Sequence, residues 1–334
     1  MKGDGKLSRF AGYAWFVLGY NLLVILWGVF LRASRSGDGC GQHWLTCGGE
    51  VVPSAPELKT VIEFSHRITS ALDGLIVVTL LVWAFLRWKN NRERVSAYVL
   101  KAAAAAFFFV LVEGALGAGL VLTGNTAETL TPARPFWMGA HLLNTLVLLG
   151  LLTLTAWSAT TGRRVIWAGR TADLKWIVLG AVLVFVVGMS GSVAALSSMI
   201  FPSGTIGEGV AKDFSPTSHL LLRLRPLHPL LAVISAVFLV FWTGWLKRRY
   251  ADSRRVVRWS NAVAVLVVIQ VAFGAMTLLT LGPILMQLGH LFLADLVWIA
   301  FLLLSLSVLR QQTAADQVDD RHLAPASTIA SSES

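Results

Sequence analysis

Eight apolar stretches, each long enough to cross a bilayer, dominate this sequence of 334 residues. A helical crossing takes roughly 20 residues, and such runs lie near 11–31, 67–86, 100–123, 138–158, 175–197, 226–246, 261–281 and 288–309. Within lipid every backbone amide must be satisfied internally, so runs this long and continuous form helices rather than strands. Only 14% of the residues are charged, against about a quarter in soluble domains. Mean hydropathy is +0.68. Both values exclude an ordinary soluble enzyme and a disordered chain. The net charge of +10 does not mark a nucleic-acid binder, because the basic residues fall in short clusters between apolar runs. The expected fold is an all-α integral membrane protein with eight transmembrane helices.

Lys and Arg set the orientation. With both termini inside, 20 of the 28 basic residues fall in inner segments, which is a positive-inside pattern. The first span follows a short basic leader but lacks a small-residue cleavage site, so it reads as an uncleaved span. The long outer loops, 32–65 and 198–225, point to an outer working face on the cell membrane. Residues 311–334, rich in Ser, Ala, Asp and Gln, read as a disordered cytoplasmic tail.

The chain also repeats itself. Residues 1–165 and 166–310 each hold four spans, and their landmarks correspond. Gly28 precedes His66 as Gly188 precedes His228. Glu113 and Gly117 match Gln270 and Gly274 at the same spacing, and His141 opens its span as His290 does. An even number of spans per repeat keeps both halves in one orientation, giving two pseudo-symmetric four-helix bundles about an axis along the membrane normal.

Four of the seven histidines occupy corresponding places in the repeat. From His66 to Arg87, His141 to Arg163, His228 to Lys247 and His290 to Arg310 the helix rises roughly 31, 33, 28 and 30 Å. All four imidazoles therefore lie at one depth, near the outer interface. Facing imidazoles in a four-helix bundle suit heme iron, and Gly114, Gly117, Gly119 and Gly274 would leave room for a macrocycle. A lone histidine there would more often be an interface anchor. Four, paired by a repeat, favour a functional role, since intramembrane ionisable groups are costly.

The halves differ where chemistry would differ. Glu63 stands three residues before His66, whereas Arg225, with Arg223 nearby, stands three before His228. An arginine suits a heme propionate. A carboxylate suits proton transfer or stabilisation of a developing cation, or else forms a surface pair with Arg67. The first half thus reads as the reacting site and the second as a cofactor site. Cys40 and Cys47 lie only in the first outer loop; a disulfide is permitted outside the membrane, as a loop staple or as a redox pair. Asp73 and Asp295 read as helix–helix contacts, and Glu113 as a pocket residue.

The strings IEFSHR at 62–67, CGQHWLTC at 40–47, HLLNTLVLL from 141, QVAFGAMT from 270 and GHLFLADLVW from 289 resemble the heme A synthase family in order and spacing. The resemblance runs from about residue 11 to 309. It implies oxidation of a ring methyl of heme O to a formyl group by successive hydroxylations, giving heme A. It further implies a heme b cofactor on His228 and His290, the substrate heme at His66 and His141, and Glu63 as the essential acid. Arg67, Arg223 and Arg225 become propionate candidates, and Cys40 and Cys47 the disulfide pair. A heme O synthase is an implied partner, and the electron acceptor stays open. Two positions depart from the family pattern: Pro229 follows His228 where arginine is usual, and His43 stands where an acid is usual. The rival reading is a di-heme b electron-transfer protein linked to quinol, which would use both histidine pairs as permanent ligands and would need no Glu63.

Overall fold

A computed structural model describes residues 7–92, 94–126, 130–166 and 169–310; the tail expected at 311–334 lies outside them. The helices are α1 (Arg9–Ala33), α2 (Leu58–Asn90), α3 (Arg94–Leu122), α4 (Arg134–Thr161), α5 (Thr171–Ile200), α6 (Ile206–Phe214), α7 (Leu220–Leu224), α8 (Leu227–Arg249), α9 (Arg254–Leu279) and α10 (Ile284–Val308). Among the described residues, eight stretches, with α7 and α8 counted together, are long and apolar enough to span a membrane. The chain is an all-α membrane protein.

Local signals explain the boundaries. The Ser8 hydroxyl accepts the Ala11 amide to cap α1, satisfying one of the orphan donors of a first turn. Gly162 closes α4 at φ 62°, a left-handed conformation that glycine adopts freely. Pro229 falls in the first turn of α8, which begins at Leu227, where its missing N–H would have had no intrahelical partner. The largest departure from the expected spans is α2. It starts nine residues earlier than the apolar run, at Leu58, because 58–66 is amphipathic and its polar face is covered by the preceding loop.

The connections α1–α2, α3–α4, α5–α8 and α9–α10 gather at one end. There Arg35 donates to the Met199 carbonyl (3.2 Å) and Arg32 to Gln287 (3.4 Å). At the other end the 162–170 connection meets the end of α10, where the Ile166 amide bonds the Leu309 carbonyl at 3.0 Å.

Two helices form the centre. In α4 and α10 the apolar windows are 61% and 67% buried, against 11–28% in the other six spans. They pack on each other, with α1 also against α10 and α5 against α4. Trp298 of α10 donates its indole N–H to the Leu146 carbonyl of α4 at 2.8 Å. Leu149, Leu152, Phe301 and Leu304 fill the shared core. Asp73 makes the interhelical bond expected of it, accepting from Asn21 of α1 at 2.8 Å. Asp295 is 2% exposed, and its Oδ2 has no hydrogen-bond partner among the described residues.

Candidate functional site

The four histidines belong to α2, α4, α8 and α10, and their surroundings are not alike. His228 and His290 stand ring to ring, with centroids 6.3 Å apart and planes at 82°. Two imidazoles on one metal from opposite sides would have centroids roughly 6 Å apart, from two bonds of about 2.0–2.1 Å plus the depth of the rings. The pair could therefore hold a single iron.

Each ring lies over a helical glycine. A Cβ at Gly191 of α5 would come within 2.9 Å of His228 Cε1, and one at Gly274 of α9 within 2.8 Å of His290 Cε1. Both glycines are slots for an imidazole. The Ser190 hydroxyl lies 3.2 Å from His228 Nδ1, an outer contact of the kind that fixes a ligating ring. As a landmark of the repeat, Gly188 precedes His228 as Gly28 precedes His66. Yet a Cβ at Gly188 would face Leu142 and Leu146 of α4, so that glycine serves helix packing and Gly191, one turn on, serves the histidine.

In the first half His66 uses the same device, with a Cβ at Gly28 of α1 falling 3.0 Å from its Cε1. His66 and His141 are close enough to interact electrostatically. His141 has no glycine slot, since a Cβ at Gly114 or Gly117 would meet nothing within 4 Å. Its Nδ1 faces Glu113 Oε1 of α3 at 3.4 Å. Gly119 offers no space for a macrocycle, because the Trp137 ring lies against it.

Glu63 is 3% exposed. One oxygen pairs with Arg67, four residues on; the other accepts the Cys40 amide at 2.8 Å. Arg67 also donates to the carbonyls of His43 (2.7 Å) and Thr46 (2.8 Å). Cys40 and Cys47 form a disulfide. The Glu63–Arg67 pair thus clamps the disulfide loop over the N-terminal end of α2, one turn from His66. The early start of α2 puts Glu63, His66 and Arg67 on one continuous helix, which the spacing alone left open.

The expected propionate partners are distributed differently. Arg67 is held by the loop. Arg225 pairs with Asp213 at 2.7 Å and donates to the Gly209 carbonyl at 3.1 Å, tying α6 to the start of α8. Arg223 is exposed.

Against known proteins, the family model COX15-CtaA, described as cytochrome oxidase assembly protein, matches residues 11–302. The chain belongs to the COX15-CtaA family. Among curated relatives of this COX15-CtaA chain, a protoheme IX farnesyltransferase of Thermus thermophilus is 41% identical over 305 residues, covering 91% of this chain and 49% of that protein. The chain thus spans about half the length of that relative. The heme A synthase of Alkalihalophilus pseudofirmus is 28% identical over 294 residues, covering 86% of this chain and 94% of that protein. The heme A synthase of Halalkalibacterium halodurans is 28% identical over 281 residues, covering 83% and 89%.

Three features escaped the reading by sequence: the glycine slots as a set, the Glu113 contact and the loop clamp. Only the second had a legible signal, the exchange of Glu113 for Gln270 between otherwise matching segments.

Proposed function

We propose that this chain is a heme A synthase, oxidising a ring methyl of heme O to the formyl group of heme A. The observation that carries the reading is the asymmetry of the two histidine pairs. One pair lies ring to ring in neutral glycine slots; the other stands beside two acidic groups, Glu63 and Glu113. A permanent di-heme carrier would have no use for that difference. Similarity over most of the chain to two proteins named heme A synthase supports the same choice.

His228 and His290 would hold a resident heme b, seated by Gly191 and Gly274. When bound, that heme supplies a one-electron redox centre. His66 and His141 would contact the substrate heme O, whose apolar prenyl tail suits a pocket open to lipid. Oxidation of a methyl group releases protons, and Glu63, buried one turn from His66, is the group placed to accept one or to balance developing positive charge. Its oxygens hold the Arg67 guanidinium and the Cys40 amide, so a change of charge on Glu63 would be felt by the disulfide loop. The two halves act as pseudo-symmetric bundles, with termini inside, the site toward the outer face of the cell membrane, and a heme O-producing enzyme as the natural supplier.

The test is heme extraction. The chain is expressed in membranes that supply heme O and make no heme A, and the extracted hemes are separated by chromatography. Heme A or its hydroxylated precursor is expected. Protoheme and unchanged heme O alone, from folded and heme-loaded protein, would turn the assignment to the di-heme carrier.

A further inference from the structure

Glu113 of α3 sits inside the helix bundle with more donors around it than a packing residue needs. Its Oε2 accepts from the Asn144 amide and its Oε1 from the Thr145 hydroxyl, both in α4. The Asn144 amide is itself anchored on the Phe109 carbonyl at 2.9 Å. The carboxylate is thus held in place from α4, the helix that carries His141 three and four residues earlier. His141 Nδ1 is buried, lies 3.4 Å from Oε1 and makes no hydrogen bond among the described residues, so Glu113 is the acceptor it faces.

The matching position in α9 is neutral. Gln270 precedes Gly274 by four residues, as Glu113 precedes Gly117, but the Gln270 carbonyl oxygen is buried without a partner among the described residues. His290 is instead seated on Gly274. Of the four histidines, His141 is the one with a carboxylate behind its ring and open space at the glycine that would otherwise seat it.

We propose that Glu113 is the positioning residue for His141. It accepts a hydrogen bond from Nδ1–H, which fixes the tautomer with the Nε2 lone pair bare and directs that nitrogen toward the substrate heme. A carboxylate behind an imidazole both orients the ring and raises its basicity. The 3.4 Å approach falls short of a hydrogen bond in this structure, and such contacts tighten when the ligand arrives. The inference rests on the heme A synthase reading, because it needs His141 to face substrate.

The experiment titrates heme O into purified protein carrying its resident heme b, reading the optical difference spectrum, for wild type, His141→Ala, Glu113→Gln and Glu113→Leu. Heme b content and its reduced spectrum report on folding of the other half. Loss of an outer partner of a ligating histidine typically costs about 10–100-fold. Glu113→Leu is therefore expected to weaken heme O binding about 10-fold or more, approaching His141→Ala. Glu113→Gln, which keeps one acceptor oxygen, should lie between Glu113→Leu and wild type, and heme b content should be unchanged in all four. Wild-type binding by both Glu113 variants, with His141→Ala impaired, overturns the inference alone. Loss of heme b in Glu113→Gln makes the residue a packing element and also overturns it. Failure of wild type to bind heme O, or full binding by His141→Ala, overturns the functional reading and the inference with it.

Discussion

Gly274→Ala separates a requirement for heme from a requirement for stability. Alanine is favoured over glycine inside a helix by about 0.8–1.0 kcal/mol, so an isolated α9 would gain from the change. Against this, the new methyl would lie 2.8 Å from His290 Cε1 and 3.4 Å from Nδ1. Carbon–carbon contacts prefer about 3.5–4.0 Å, so the ring must withdraw by roughly 0.7–1.2 Å. Without heme the imidazole can turn away, and much of the overpacking cost of about 1–3 kcal/mol is relieved. With heme it cannot turn, because His228 sets the other side of a 6.3 Å ring spacing. The penalty therefore falls on heme binding, and at 1.4 kcal/mol per decade it amounts to about 5–150-fold in affinity. Purified Gly274→Ala protein should retain wild-type thermal stability after heme removal, yet show a reduced heme-to-protein ratio and a faster rate of heme b loss. Gly117→Ala, where the methyl meets nothing within 4 Å, is the matched control and should keep its heme. Full heme b occupancy and an unaltered spectrum in Gly274→Ala would refute the slot argument.

Glu63→Gln should abolish heme A formation while heme b still binds; normal product from this variant would sink the proposed role of Glu63. Cys40→Ser with Cys47→Ser opens a short loop, and the chain-entropy model gives a loss of about 2–3 kcal/mol. Because that loop is clamped by Glu63 and Arg67, turnover should fall along with thermal stability, and unchanged activity would confine the disulfide to a staple. Glu208, outside the spans, has its carboxyl held below the usual range chiefly by Lys212, with help from the Gly204 amide. Its contribution is present above the unfolded glutamate value of about 4.3 and is lost as pH falls through the lower folded value. Hydrogen exchange at 203–214 should therefore rise on acidification below that range, and Glu208→Gln should remove the dependence.

The spans were legible because membrane helices leave a one-dimensional signal: length and hydropathy suffice where no backbone group can go unpaired in lipid. Asp73 was legible for a related reason, since a lone acid within a span is costly unless paired, and it accepts from Asn21; Asp295, read in the same way, has its Oδ2 without a partner among the described residues. The start of α2 was not legible. Residues 58–66 belong to the helix only because the disulfide loop covers their polar face, and that cover is tertiary. Gly191 was hidden by the regularity of the repeat itself. The matching of landmarks favoured Gly188, but a shift of three residues, about one turn, keeps a glycine on the same face, and only the packing of α5 against α8 decides between them. Arg67 and Arg225 were assigned by residue type, while their acceptors, the carbonyls of His43, Thr46 and Gly209 and the carboxylate of Asp213, come from loops whose paths no local pattern encodes.

The placement of the histidines between core and rim has a further consequence. His141 and His290 are carried by α4 and α10, the two most buried spans, whereas His66 and His228 are carried by helices whose apolar windows are only 22% and 28% buried. Each pair thus joins one rigid wall to one outer wall. Because α4 and α10 pack directly on each other, the inner members of both pairs share one core, locked by Trp298 on the Leu146 carbonyl five residues beyond His141. The glycine slots fit this division. Gly28, Gly191 and Gly274 lie on α1, α5 and α9, the helices that flank the two central ones. The one ring without a slot, that of His141, is on the central helix and faces the Glu113 carboxylate of α3 at 3.4 Å.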